Sequence, residues 1–337
     1  MAELSAHLSQ AATEGAFDLA PLQTDEGLLR TAIVLAELCH FAYVARASDI
    51  GSSTQIEVPL QSGRTAVAAT LIHFRESGLE ADDEDAHLAD DAVQQFGVWE
   101  VAGLGLAVAF RGTACLDDVV IDTNIAPVPL GNPPGRRPLH VHRGFHAGVV
   151  RHLDEIVAAV RARDAAAGKR LPVWVAGHSL GGGYANCLAL HLLASRSTAE
   201  LFGAGGGAVT FGAPMVLHAA DPDALFQRLR ALEAAAEATG GGAGGRAVLQ
   251  FHNFVNNADV VPRLLGTSLD AVHAFLAAYV PGLAAVHATA RDYRPFGSYH
   301  FVLGESIRSP LHTSAPPTGL GLGRVRQQRA GRRRNAP

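Results

Sequence analysis

With 337 residues, 48% of them hydrophobic, and a mean hydropathy of +0.14, the chain can bury a sizeable core as one large α/β domain or two small ones. A net charge of −5 and a pI near 6.3 argue against nucleic acid as the main partner. Three widely spaced cysteines, Cys39, Cys115 and Cys187, form no Cys-x-x-Cys pair, which argues against a disulfide framework or a cysteine-rich zinc site and fits a reducing compartment.

Residues 1–23 are polar and Ala-rich, a loose lead-in whose Glu3, Glu14 and Asp18 do not suit a secretory leader. No apolar run reaches the ~18 residues needed to cross a bilayer, so the expectation is a soluble, cytoplasmic protein without a transmembrane segment. Thr24 suits the N-cap of a helix over 25–46, whose apolar face runs through Leu28, Leu29, Ala32, Ile33, Leu35, Ala36, Cys39 and Tyr43. Strand-like runs at 54–60 and 65–74 flank Gln61-Ser-Gly63 and predict a hairpin. The acidic stretch 80–91 lacks the Gly and terminal Glu of a calcium loop and reads as a solvated loop.

Strands are predicted at 96–100 and 104–110, the second leading into Arg111-Gly112-Thr113. That puts an N–H and a hydroxyl at a strand's carboxyl end, where the second donor of an oxyanion hole belongs. Residues 116–122 form a short amphipathic segment, either a lid or an ordinary surface helix. The Pro- and Gly-rich stretch 126–138 reads as loop. His140, His142 and His146 raise the question of a zinc site, but no carboxylate or Cys completes a usual ligand pattern. Loop-end histidines before a helix over 147–167, stopped by Gly168, are the better reading.

The segment Leu171–Gly183 carries the chemistry. Val173 and Val175 mark a buried strand, 182–193 a buried helix, and Gly177-His-Ser-Leu-Gly181 joins them in the G-x-S-x-G pattern. A serine at the tip of such a turn needs neighbours two residues away that lack a Cβ. Ser179 is then an exposed nucleophile, and the Leu180 N–H at the helix N-terminus can bind an oxyanion.

Further on, 208–214 is a buried strand, Asp221-Pro222 opens an Ala-rich helix over 222–238, and 240–245 is a glycine linker. The strand at 247–255 delivers Asn256-Asn-Ala-Asp259, where either the acid of a Ser…Asp…His order or a helix N-cap would sit. A helix is predicted at 269–279 and a last strand at 293–302. Beyond Ser309 the composition turns to Pro, Gly and Arg, which predicts a disordered tail over 309–337. Its basic cluster leaves open a peripheral contact with anionic headgroups at a membrane or lipid-droplet surface.

Together, Phe110-Arg-Gly-Thr113, Val141-His-Arg-Gly-Phe145, Gly177–Gly182, Val209–Pro214 and Asn257–Arg263 resemble the class 3 (fungal-type) lipase family, in particular its intracellular plant and algal branch. They stand in the family's order across about residues 100–300. The resemblance implies an α/β-hydrolase fold over residues 24–308, with a predominantly parallel sheet flanked by helices. It implies Ser179 as nucleophile, Asp259 as the acid, Thr113 and Leu180 as the oxyanion hole, a lipid ester as substrate, and no metal or cofactor. The third triad member departs from the family: His312 alone lies beyond the last strand, His300 inside it is the next choice, and a chain without the base is the third alternative. A rival reading is a lipase-like binding protein without catalysis, similar to the plant immune lipase-like proteins.

Overall fold

The computed structural model describes residues 26–60, 63–77, 94–112, 125–130, 138–194, 196–218, 230–231, 234, 249–256, 259, 261–263, 265 and 292–302. The expectations for 1–23, the Thr24 cap, the acidic stretch 80–91, the segment 116–122, the linker 240–245, the helix 269–279 and the tail 309–337 lie outside those residues, as does almost all of the helix predicted at 222–238.

The chain opens with helix α1 (Glu26–Val44), then the antiparallel hairpin β1 (Ser53–Leu60) and β2 (Gly63–Arg75). Strands β3 (Phe96–Val101) and β4 (Gly105–Phe110) continue the sheet antiparallel. From β4 onward pairing is parallel, through β7 (Val173–His178), β8 (Gly206–Phe211), β10 (Leu249–Asn256) and β12 (Ser298–Val302). The order across the sheet is β1-β2-β3-β4-β7-β8-β10-β12.

Residue alternation explains how this sheet takes helices on both faces. In β7, Val173 and Val175 join the core beneath helices α2 (Arg143–Ala167) and α3 (Leu180–Ala194), while Trp174 and Ala176 face α1. A strand covered on both sides reads as a continuous apolar run. Helix α1 is long and apolar enough by length and composition to cross a membrane. Here Leu28, Ala32, Ile33, Leu35, Leu38 and Ala42 are buried against the sheet. Helix α2 ends at Gly168 in the left-handed conformation, whose N–H caps the carbonyls of Asp164 and Ala165.

Three expectations need correction. The stretch 126–138 is not all loop: β5 (Pro127–Leu130) pairs with β6 (Leu139–His142) in a second, four-stranded sheet ordered β11-β9-β6-β5. β5 is an edge strand there, which is where Pro127 and Pro129 are tolerated. His140 and His142 therefore sit on a strand, and α2 starts at Arg143, before His146. The run 293–302 is two strands. Tyr293–Arg294 (β11) joins β9 (Leu217–His218) in the small sheet, and Gly297, at φ 78, turns the chain into β12 of the large one.

Candidate active site at the strand to helix turn

β7 ends at His178 and α3 begins at Leu180, so Ser179 is the whole turn. Its φ is 54, and among the described residues it is the only non-glycine with positive φ. A side chain in that region is strained, and strain of this kind persists only where the surroundings impose it. The imposing contacts are backbone to backbone. Ser179 N–H donates to Phe211 O at 2.9 Å, and Gly182 N–H donates to Ser179 O at 2.9 Å. A Cβ on Gly177 would land on the Gly181 carbonyl, and one on Gly181 would lie 2.6 Å from Phe110 O. These two glycines are thus required for space, not for φ.

Leu180 is the first residue of α3, and the first N–H groups of a helix have no intrahelical acceptor. Thr113 lies outside the described residues. The strand leading to it is described as far as Gly112, which is pressed against the elbow, since a Cβ there would lie 2.5 Å from His178 O.

Asp259 follows β10, and its carboxylate lies against Gly212, the turn residue after β8. A Cβ on Gly212 would strike Asp259 Oδ2, while Oδ1 accepts the Val261 N–H at 2.9 Å. The Oδ1 bond is of the capping kind that the alternative reading of Asp259, a helix N-cap, called for. Because β7, β8 and β10 are adjacent parallel strands, Ser179 and Asp259 emerge at the same end of the sheet. The carboxylate is near enough to His178 to raise its pKa, but burial of the ring wins and holds it below the usual value.

His312 lies outside the described residues. Among the described residues no imidazole is hydrogen-bonded to the Ser179 hydroxyl. His300 is placed elsewhere: the register sets His178, Phe211, Phe254 and His300 in one row across β7, β8, β10 and β12. Three strand spacings put it about 14 Å from β7. Its Nε2 is 2.8 Å from His252 Nδ1 and its ring stacks on Phe254 at 4.9 Å, so it belongs to the far edge of the sheet.

The three upstream histidines do not converge. His142 is buried between the rings of Phe145 and Tyr293, and burial pushes its pKa down to about 3. His146 faces His191 of α3 at 4.9 Å, and His140 pairs across the small sheet with His218. Among the described residues no group of three or more His, Cys, Asp or Glu side chains can hold a metal ion.

Sequence reasoning missed two features. One is a buried polar knot under the elbow: Asn253 Oδ1 accepts from Asn186 Nδ2 at 2.9 Å and Thr210 Oγ1 at 2.6 Å, and its Nδ2 donates to Phe296 O at 2.6 Å. The other is Tyr43, whose hydroxyl is 3.2 Å from His178 Nδ1. For Asn253 the strand gave no clear signal, since Gln250, His252 and Asn256 are polar too. Tyr43 gave none, since it fits the apolar face of α1.

A family model described as Lipase (class 3) matches residues 107–269, from inside β4 through the elbow and past Asp259. Over those residues the chain is similar to the class 3 lipase family. Among solved structures similar to this chain is a triacylglycerol lipase from Penicillium expansum, with a TM-score of 0.50 and 16% identity, covering 82% of this chain and 79% of that one. A deletion mutant of the Rhizomucor miehei lipase propeptide complex gives a TM-score of 0.42 at 21% identity, over 69% of this chain and 55% of that one. The chain therefore spans about half the length of that second relative. At 16% identity the likeness to the Penicillium structure is one of fold, an α/β-hydrolase sheet with flanking helices. The neighbours are fungal and bring no support for the plant and algal branch. No curated protein matches the chain.

Proposed function

We propose that the protein is a serine hydrolase that cleaves carboxylic esters of lipids, in the manner of an acylglycerol lipase, through an acyl-enzyme on Ser179. The observation that carries this reading is the elbow: one strained, non-glycine residue, a serine, held between strand and helix by glycines that nothing larger could replace. The match of residues 107–269 to the class 3 lipase family model and the placement of Asp259 at the same sheet end support it.

In this mechanism the Ser179 Oγ bonds to the ester carbonyl carbon as its proton passes to an imidazole, for which His312 is our choice, oriented by Asp259. The carbonyl oxygen becomes an oxyanion held by the N–H groups of Thr113 and Leu180. Collapse breaks the bond to the alcohol, which leaves with the proton, and water repeats the sequence to release the fatty acid. The fold supplies positioning and electrostatics with no cofactor in the scheme.

A fluorophosphonate probe together with p-nitrophenyl esters of graded chain length tests this reading. Wild type is expected to label and turn over, Ser179→Ala to do neither, and His312→Gln to lose on the order of 10³-fold or more in kcat. Ser179-independent labelling, or none in folded wild type, would overturn it.

A further inference from the structure

We propose that Tyr43 is a positioning residue, which locks the strand end before Thr113 to the nucleophile turn through a chain from Gly112 N–H to Tyr43 Oη and from Tyr43 O–H to His178 Nδ1. The inference rests on the hydrolase reading above and adds to it what sets the distance between the two oxyanion donors. Those donors come from segments with no covalent relation: one follows Gly112, and the other follows Ser179. An oxyanion hole works only if both lie within hydrogen-bond reach of one atom, so some group must fix the gap.

Tyr43 is the group that touches both sides. Its hydroxyl packs against Gly112, where an added Cβ would strike the oxygen, and lies 3.2 Å from Nδ1 of His178, the residue directly before the nucleophile. The donor order follows from chemistry. The Gly112 amide can only donate, so the phenol accepts there and spends its own proton on the imidazole. His178 must then be neutral with Nδ1 unprotonated, and partial desolvation of the ring holds its pKa below the usual value, which favours the neutral form. The Arg111 guanidinium sits 5.7 Å from the Tyr43 ring centroid, in range of a cation–π contact.

The rest of the strand end is held independently of the hydroxyl. Arg111 N–H donates to Gln95 O at 3.0 Å, and Arg111 Nη1 to Gln95 Oε1 at 3.1 Å. Gln94 Nε2 donates to Arg111 O at 2.5 Å, and Gln95 Nε2 ties the bundle to Ala42 O of α1 at 2.7 Å. Removing one oxygen from Tyr43 therefore leaves the strand in place while freeing the Gly112 peptide, which separates a positioning role from a folding role.

The test compares wild type, Tyr43→Phe, His178→Leu and the double variant on p-nitrophenyl butyrate, with phenylboronic acid as an oxyanion-forming inhibitor. Losing one oxyanion donor outright costs on the order of 10²–10³ in rate, so misplacing one is expected to lower kcat about 10- to 50-fold. KM should stay within about twofold, melting temperature within a few degrees, and the phenylboronic acid Ki should rise with the loss in kcat. His178→Leu should match Tyr43→Phe, and the double variant should be no worse than either, because both cut the same chain. His178→Gln, which keeps an acceptor, should recover most of the rate. Wild-type kcat in Tyr43→Phe, an effect confined to KM or melting temperature, or additive losses in the double variant would overturn the inference. If wild type neither hydrolyses the ester nor labels with fluorophosphonate, the hydrolase reading itself fails and this inference with it.

Discussion

From β4 to β10 the main sheet runs parallel and lies under helices on both faces, whereas β1 and β2 run antiparallel at the opposite edge with alternating residues in solvent. The two halves are tied down differently. The parallel half relies on close backbone approach and a buried amide knot, with Thr210 at 0% exposure and Asn253 at 2%. The antiparallel half is fixed to α2 by charge: Glu155 accepts from His73 Nε2 at 2.8 Å and from Arg75 Nη2 at 2.7 Å. Chemistry that depends on a strained serine sits in the half held by close backbone contacts and buried hydrogen bonds. The half that faces solvent carries interactions that salt and pH can weaken.

Glycine substitutions should separate the halves most sharply. Gly177→Ala drives a methyl into the Gly181 backbone, so a loss of about 3 kcal/mol or more, or failure to fold, is expected. Gly63→Ala in β2 meets nothing within 4 Å at φ +135 and should cost only the backbone strain, about 1–2 kcal/mol. Urea melts of the pair would decide this. Equal losses would mean that the elbow relaxes more readily than its contacts imply.

Next in size is the buried knot. Asn253→Ala strands the donors of Asn186 and Thr210 and the Phe296 carbonyl, for an expected loss of about 2–4 kcal/mol that is the same in low and high salt. Glu155→Gln should cost about 1 kcal/mol, because Arg75 is half exposed, and the cost should shrink in 1 M salt. Burial pushes the Glu155 pKa up, but hydrogen bonds and charge from Arg75 and His73 outweigh it and hold it below the ordinary value. A depressed carboxylate contributes stability above its unfolded pKa, near 4.3, and loses it as pH falls through the folded value. The wild-type advantage over Glu155→Gln should therefore fade below about pH 4. Persistence of that advantage in strong acid would show the tie to be steric.

The contrast between halves also governs what the sequence revealed. The elbow is written in five consecutive residues, so Ser179, its glycines and the flanking strand and helix were legible, and the two-sided burial of β7 appeared as an apolar run. The small sheet was not legible: β9 and β11 are two residues each, β5 contains two prolines, and their pairing partners lie far along the chain. His300 was a reasonable candidate by chain order alone. Only the strand register shows it three strands from β7. Tyr43 and His178 are 135 residues apart, a separation at which no local pattern links two side chains.

The smallest expected effect is also the most informative about why the rigid half is rigid. Ser179 adopts a φ of 54 that costs a residue with a Cβ on the order of 1 kcal/mol, and glycine adopts it freely. Ser179→Gly should then raise stability by up to about 1 kcal/mol, offset in part by the entropy glycine gains on unfolding, while removing fluorophosphonate labelling. Ser179→Ala keeps the Cβ and the strain, so it should lose labelling with stability near wild type. A gain in the glycine variant that the alanine variant lacks would place the strain in the backbone of the turn, as its geometry requires. An equal gain over wild type in both variants would mean that the hydroxyl, not the conformation, carries the cost of holding a serine at that position.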